Sequence, residues 1–273
     1  MTDVIAFGEI LWDIIEGVPH IGGAPFNFAA HVARCGLTAS IVSAVGDDEL
    51  GRRARAQVDA LGVDGTRVAV HPTLPTGTVK VTLADGIPSY EIVQPVAWDE
   101  IAVSGALPPP PRAFYFGSLA QRAPVSAATL RALLEAFASS LVFFDVNLRQ
   151  RFWSKALVAD CLKGVDILKV NDEEMKELGL EAGRLFAEFP RLKTVVETRG
   201  AAGCAVWSRD GEAFASPARP DGPVVDTVGA GDSFSAAFLA TLLSGGDLRS
   251  AAEAGNRRAG QVAARAGAIP DGI

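Results

Sequence analysis

Cysteine and histidine are scarce in this sequence, and neither forms a cluster. The chain of 273 residues contains three of each. They are Cys35, Cys161 and Cys204, and His20, His31 and His71. Because the cysteines are odd in number and lack CxxC spacing, they exclude a disulfide framework and indicate a reducing compartment. The spacing of the histidines excludes the common zinc-binding patterns.

Clusters of basic residues and long apolar runs are also missing. The net charge is −7 and the isoelectric point is near 5.1, with Lys and Arg scattered along the chain. We therefore expect no nucleic-acid partner. No apolar run approaches the ~18 residues of a membrane span. The first residues, MTDVIAFGEI, lack the basic segment and cleavage site of a secretory signal, so we expect a cytoplasmic protein.

Hydrophobic residues are abundant, at 49%, and they alternate between strand-like and helix-like segments. The length fits a single domain with or without an insert. Short continuous apolar runs, typical of buried parallel strands, occupy residues 4–7, 40–45, 113–116, 142–145, 167–170 and 194–197. Helical patterns cover about 25–35, 47–61 and 124–137. This alternation predicts a doubly wound, mostly parallel α/β sheet flanked by helices.

Residues 76–96 break this rhythm and predict a β-hairpin. Two segments of alternating polarity flank Asp85-Gly86, a pair that favours a hairpin turn. Together with residues 12–20, the segment 76–97 is expected to form a small β lid on the single domain. A surface hairpin without a function remains the alternative.

The stretch DTVGAGDSF, residues 226–234, is the strongest functional signal. Gly229 and Gly231 permit a tight turn and close approach of an anion, and an apolar helix follows. Asp232 then lies at the helix N-terminus, where free N–H groups carry partial positive charge. An anion nest beside a carboxylate suits deprotonation of a hydroxyl during phosphoryl transfer. The alternative is a plain glycine turn with Asp232 as an N-cap.

Two further motifs place polar groups where sugar hydroxyls could bind. Gly22 and Gly23 precede a helix whose first turn contains Asn27, an amide with both donor and acceptor. Polar residues also follow the predicted strand 142–145 at intervals of two, a position where open α/β sheets bind ligands. They are Asp145, Asn147 and Arg149. The alternatives are a capped helix start and a structural ion pair between Asp145 and Arg149.

Two motifs later in the chain suit a nucleotide. Asn171 and Glu174 form an NxxE sequence after the strand 167–170, although an ordinary capped helix start explains them equally well. Thr198, Gly200 and Gly203 form a TxGxxG turn after the strand 194–197, which a simple turn between two strands also explains. The order NxxE, TxGxxG, GAGD is the informative feature.

In these motifs and their order the chain resembles the ribokinase-like (PfkB) carbohydrate kinases from residue 4 to residue 268, most closely the bacterial fructokinase subgroup. The resemblance implies a catalytic turn of Gly229, Ala230, Gly231 and Asp232, in which the N–H groups of the first three residues would stabilise the transferring phosphoryl group. It implies a sugar site of Asp13, Gly22, Gly23, Asn27, Asp145, Asn147 and Arg149. It also implies ATP contacts at Asn171, Glu174, Thr198, Gly200, Gly203 and Asn256. Glu174 would bind Mg²⁺ through water, and Asp226 and Val228 would flank a monovalent cation such as K⁺.

From this resemblance we expect an ATP-dependent transferase that phosphorylates a hydroxymethyl group of a small sugar, fructose first, and that forms a homodimer. A nucleoside or 2-keto-3-deoxygluconate kinase of the same family is the alternative. A catalytically silent sugar-binding regulator is the alternative from another class, and the intact Asp232 turn opposes it. A Rossmann dehydrogenase is disfavoured because no GxGxxG follows the first strand.

Overall fold

The structure is a computed structural model that describes residues 2–84 and 87–273. Its strands are β1 Val4–Phe7, β2 Leu11–Ile15, β3 Val18–Gly22, β4 Ala39–Gly46, β5 Val63–Asp64, β6 Val68–His71, β7 Gly77–Ala84, β8 Ile87–Ile92, β9 Ala113–Gly117, β10 Leu141–Asp145, β11 Ile167–Asn171, β12 Thr194–Thr198, β13 Cys204–Ser208 and β14 Ala213–Ser216. Its helices are α1 Ala24–Arg34, α2 Glu49–Ala60, α3 Pro124–Ala136, α4 Lys155–Leu162, α5 Asp172–Leu178, α6 Ala182–Glu188, α7 Ala230–Leu243 and α8 Leu248–Ala263.

Most strands form one large sheet in the order β14-β13-β12-β11-β10-β9-β1-β4-β5, with β6 paired to β4. The pairs from β12 through β4 are parallel, and β13 and β14 continue the sheet antiparallel. All six predicted buried strands and all three predicted helices are present, so the predicted α/β fold is confirmed. The chain turns from one half of the sheet to the other between β1 and β9, where α/β folds hold their ligands.

The four remaining strands form a second sheet in the order β3-β2-β7-β8. The predicted hairpin corresponds to β7 and β8, which pair antiparallel up to Ala84 and Ile87. Its predicted turn, Asp85-Gly86, lies outside the described residues. The sequence did not predict the parallel pairing of β2 with β7, which unites residues 12–20 with the hairpin. That this sheet closes over a ligand remains a prediction.

Both ends of the hairpin are anchored to the main domain. At its start, the Thr76 hydroxyl donates to Asp48 at 2.6 Å, and the Thr76 N–H donates to the second Asp48 oxygen at 2.8 Å. At its end, the Val93 carbonyl accepts from the Arg122 guanidinium at 3.0 Å. Arg122 also bonds both oxygens of Asp99 and lies over the ring of Trp98. Any motion of the β7–β8 hairpin is therefore confined to the segment between these two anchors.

Aromatic packing ties the helices to the main sheet. Phe26 and Phe28 on α1 are fully buried, and the ring of Phe28 stacks on Tyr115 of β9 at 3.7 Å between centroids. Phe143 of β10 packs edge-on against Phe238 of α7. Burying an aromatic side chain contributes roughly 1.5–3 kcal/mol. These contacts fix α1 and α7 against the central strands β9 and β10. Across residues 2–84 and 87–273, no helix combines the length and apolarity needed to cross a membrane.

Candidate active site

The GAGD turn opens α7 as the sequence predicts. Gly229 is the N-cap in the left-handed conformation, with φ 76°. A Cβ atom at this position would lie 2.6 Å from the Cα of Ala268, so only glycine fits. The N–H groups of Gly229 and Gly231 have no acceptor within the described residues and remain available to an anion. The Ala230 N–H, predicted as a third donor, instead bonds the Thr227 carbonyl at 3.2 Å, which corrects that prediction.

Asp232 meets Asn27 across the site. The Asn27 amide donates to an Asp232 carboxylate oxygen at 2.8 Å, which joins two motifs 205 residues apart. Burial, followed by the charge of Asp145, raises the pKa of Asp232 to about 6, although the Asn27 hydrogen bond and the charge of Lys169 oppose this. Asp232 is therefore a carboxylate at neutral pH with more basicity than an exposed aspartate. That is the property expected of a general base.

Asp145 lies beneath this pair in a closed network. Its side chain is 1% exposed, and Lys169 donates to one oxygen at 2.9 Å. Tyr115 and Ser235 donate to the other oxygen at 3.2 and 3.0 Å. Both oxygens thus have protein donors, which favours the ion-pair alternative over direct substrate contact. Within that alternative, the cation is Lys169 rather than Arg149.

Lys169 is a residue that sequence reasoning missed. Its side chain is buried, and its ammonium nitrogen lies 3.2 Å from where a Cβ atom on Gly231 would be. Nearby Asp145 and Glu174 hold its pKa above the usual value despite burial. The available signal was a single charged residue inside the apolar run 167–170, since lysine is almost never fully buried without a partner.

Arg149 and Asn147 follow β10 on the surface of the site. Arg149 is exposed. Burial raises the pKa of Glu9, Asp13 and Asp232, and the positive charge of Arg149 opposes that rise, so Arg149 lies near these three carboxyls. Asn147 adopts the left-handed backbone conformation, with φ 46°. The chain thus turns sharply at Asn147, and Arg149 follows it close to the acidic side of the site.

Asp13, Gly22, Gly23 and Glu9 form that acidic side. Asp13 on β2 lies beside Gly22, where a Cβ atom would be 3.1 Å from an Asp13 oxygen. Burial raises the pKa of Asp13. A Cβ atom on Gly23 would collide with the Glu9 carbonyl, and Gly23 has φ 110°. Gly22 thus makes room for the Asp13 carboxyl, and Gly23 makes room for the backbone of Glu9.

Glu9 is the second residue that sequence reasoning missed. It follows the buried strand β1 and is 2% exposed. One of its carboxyl oxygens has no hydrogen-bond partner within the described residues. Burial raises its pKa to about 7. An acidic residue directly after a central strand, at the edge where ligands bind, was the available signal.

Glu174 and Asn171 form a reciprocal cap at the start of α5. The Glu174 N–H donates to the Asn171 side chain at 2.7 Å, and the Asn171 N–H donates to Glu174 at 2.9 Å. The second Glu174 oxygen accepts the Leu148 N–H at 2.8 Å. The capping alternative therefore describes the contacts seen, and Glu174 also holds the segment that leads to Arg149.

The Glu174 contacts are compatible with Mg²⁺ bound through water. Each carboxylate oxygen has a second lone pair beyond the one used by a backbone N–H. Within the described part of the chain, no three acidic, histidine or cysteine side chains form a direct metal cage. Mg²⁺ in kinases commonly binds substrate phosphates and waters with only one or two carboxylates, which this arrangement fits.

The remaining predicted nucleotide residues lie along the β12–β14 edge. The Thr198 hydroxyl is 3.4 Å from the Val170 carbonyl, and Gly200 and Gly203 both have positive φ in the turn between β12 and β13. A Cβ atom on Gly203 would collide with the Ser216 carbonyl. Asn256 is 5% exposed, and its amide donates to Ser216 at 3.0 and 3.1 Å. These contacts give Gly203 and Asn256 structural roles at the edge.

Asp226 joins the turn to the C-terminal segment. One carboxylate oxygen accepts the Val228 N–H at 3.0 Å, and the other accepts the Gly267 N–H at 3.0 Å. The two predicted cation-site residues are thus in contact, beside the last loop of the chain. Whether they hold K⁺ remains a prediction.

Comparison with known proteins gives a consistent result. The family profile for pfkB family carbohydrate kinases matches residues 2–272. Fructokinase-1 of Oryza sativa subsp. japonica is 31% identical over 271 residues, which cover 88% of this chain and 83% of that protein. An ATP-dependent ribose-1-phosphate kinase of Halopiger xanaduensis is 30% identical and covers 98% of this chain and 94% of its own length.

A solved structure shows the same similarity in three dimensions. Aminoimidazole riboside kinase from Salmonella enterica, complexed with aminoimidazole riboside and an ATP analogue, superposes with a TM-score of 0.82 at 27% identity. The superposition covers 97% of this chain and 95% of that one.

Proposed function

Given that the chain belongs to the pfkB family of carbohydrate kinases, we propose that it transfers the γ-phosphoryl group of ATP to a hydroxymethyl group of fructose or a closely similar small sugar. The observation that carries this proposal is the Asn27–Asp232 hydrogen bond of 2.8 Å. This bond joins the proposed base to the proposed sugar-binding amide, beside the turn that opens α7.

In this proposal Asp232 accepts the proton of the attacking hydroxyl. Its pKa of about 6 keeps it ionised at neutral pH and makes it a stronger base than an ordinary aspartate. Asn27 holds the carboxylate in place, and its free side-chain oxygen accepts a sugar hydroxyl. Asp13 and Glu9 accept further hydroxyls, since carboxyl oxygens are good acceptors for adjacent hydroxyl donors.

The transferring phosphoryl group lies against the start of α7. The N–H groups of Gly229 and Gly231 donate to its oxygens, with the positive end of the helix dipole behind them. Lys169, beside Gly231 and paired with Asp145, adds a fixed charge below the turn. When bound, Mg²⁺ would neutralise charge on the ATP phosphates, with Glu174 holding it through water. The sheet of β2, β3, β7 and β8 covers the sugar and excludes water.

A screen of acceptors tests the substrate. ADP release would be measured with fructose, ribose, nucleosides, ribose 1-phosphate and 2-keto-3-deoxygluconate, each with the purified protein and with Asp232→Asn. We expect the highest kcat/KM with fructose and a loss of ~10²–10⁴-fold in kcat for Asp232→Asn. Higher kcat/KM with another acceptor would reject fructose, and near-normal kcat in the variant would remove Asp232 from its role.

Phosphorylation of a riboside or ribose phosphate is the second candidate. It is favoured by the similarity to aminoimidazole riboside kinase and to ribose-1-phosphate kinase. The exposed Arg149 facing the acidic pocket would suit an acceptor with an anionic group. The same screen separates the two candidates. Sugar binding without ADP release from any acceptor would instead support the non-catalytic regulator.

A homodimer through the second sheet is also proposed. Ile15 and Val18, which pair at the β2–β3 turn, are 41% and 54% exposed and form a small apolar surface on this sheet. Sedimentation would show a dimer that Ile15→Lys weakens. A strict monomer at working concentrations would remove the dimer without affecting the kinase assignment.

A further inference from the structure

Helix α1 contacts two separate parts of the site from one face. Asn27 bonds Asp232, and four residues later the His31 ring nitrogen Nε2 lies 2.9 Å from the Ala268 carbonyl. A spacing of four residues places both side chains on the same side of the helix, one turn apart. Asn27 is 4% exposed and His31 is fully buried.

Ala268 lies directly against the catalytic turn. A Cβ atom on Gly229 would be 2.6 Å from both the Cα and the carbonyl oxygen of Ala268. The neighbouring Gly267 N–H bonds Asp226, just before the turn. The backbones of Ala268 and Gly229 are in direct contact here. A shift of Ala268 would therefore displace Gly229 and change the direction of the N–H groups in the turn.

His31 is suited to a single fixed contact. Burial lowers its pKa to about 4, so the ring is neutral at pH 7 and Nε2–H donates to the carbonyl. The other ring nitrogen, Nδ1, is buried without a partner within the described residues, as is Nη1 of Arg258. A buried polar atom without a partner is costly, and the Ala268 carbonyl is the one hydrogen-bond partner that this ring has among the described residues.

We propose that His31 is a positioning residue for phosphoryl transfer, because its hydrogen bond to the Ala268 carbonyl holds the C-terminal segment against Gly229 and thereby sets the geometry of the 229–232 turn. This inference rests on the proposed role of that turn. It assigns a function to a residue that touches neither sugar nor ATP. Loss of the hydrogen bond between His31 and the Ala268 carbonyl should lower kcat rather than weaken sugar binding, since the Asn27 and Asp13 side chains remain in place.

Matched substitutions at one position test the contact. His31→Gln keeps an N–H donor near the position of Nε2, whereas His31→Asn keeps an amide that falls short of the Ala268 carbonyl. Arg34→Gln is the control, because Arg34 tethers the same segment further along, at Pro270 and Asp271. For each purified variant, kcat, KM for sugar, KM for ATP and the melting temperature would be measured beside Asp232→Asn.

We expect His31→Asn to lower kcat by at least ~10-fold with sugar KM nearly unchanged, because small displacements of catalytic groups have large kinetic effects. His31→Gln should restore most of kcat, and Arg34→Gln should leave it unchanged. Equal kcat in His31→Asn and His31→Gln, or an equal loss in Arg34→Gln, would overturn the proposal. Activity retained in Asp232→Asn would instead refute the role of the turn itself.

Discussion

Substitution of Asn27 by Leu should move the acidic limb of the pH–rate profile upward. Leu has a similar shape but removes the 2.8 Å hydrogen bond to Asp232. A hydrogen bond to a charged group contributes about 1.5–3 kcal/mol. Since one pKa unit corresponds to about 1.36 kcal/mol, the pKa of Asp232 should rise by about one to two units.

The direction follows from which form of Asp232 the bond stabilises. The Asn27 amide donates to the carboxylate, so its loss favours the protonated form, which cannot accept the hydroxyl proton. In the parent protein kcat/KM should fall as pH drops through about 6. In Asn27→Leu the fall should begin one to two units higher, and raising the pH should recover that part of the loss. At pH 7 the change in ionisation alone amounts to roughly 2- to 10-fold.

The assay measures kcat/KM for the sugar from pH 5 to 9 by coupled ADP release. The pH dependence of this ratio reports the pKa values of catalytic groups in the free enzyme. Glu9, with a pKa of about 7, titrates in the same range. Glu9→Gln therefore serves as the control that identifies its contribution. An acidic limb in Asn27→Leu that stays in place or moves to lower pH would refute the reasoning about the Asn27–Asp232 pair.

Three further outcomes are expected. Asp13→Ala should raise the KM for sugar by roughly 5- to 150-fold, the equivalent of ~1–3 kcal/mol, and leave the KM for ATP unchanged. Steady-state kinetics that show the reverse would reject Asp13 as a sugar ligand. Glu9→Gln should be clearly more stable than the parent at pH 8.5, with a much smaller difference at pH 5. Burial raises the pKa of Glu9 from 4.5 to about 7, so the parent loses stability as pH rises from 4.5 through 7. The difference should be about 3 kcal/mol at most, read by thermal unfolding at both pH values, and equal melting temperatures at pH 8.5 would count against a buried charge. Saturating sugar should slow hydrogen exchange in residues 77–84 and 87–92 but not at the Thr76 and Arg122 anchors. Unchanged exchange in these residues of β7 and β8 would leave the second sheet a static layer.

Local sequence determined most of the fold. The continuous apolar runs became the central strands, because a strand covered on both faces must be apolar throughout. Pro25 and Gly36 marked the ends of α1, since proline suits a first turn and glycine allows the left-handed residue that follows a helix. The GAGD turn was equally readable, because Gly229 needs a positive φ that few other residues adopt.

The tertiary structure decided which of these local features meet. Asp145 could pair with a cation from its own segment or from a neighbouring strand, and only the parallel register that sets Asp145 beside Lys169 selects the latter. The Asn27–Asp232 contact spans 205 residues, and no local pattern encodes such a pairing. His31 and Glu9 carry no motif, because their roles arise from burial against Ala268 and Gly23. Short stretches of sequence determine where strands, helices and turns form. Contacts between distant residues, their burial and the resulting pKa values depend on how distant segments pack.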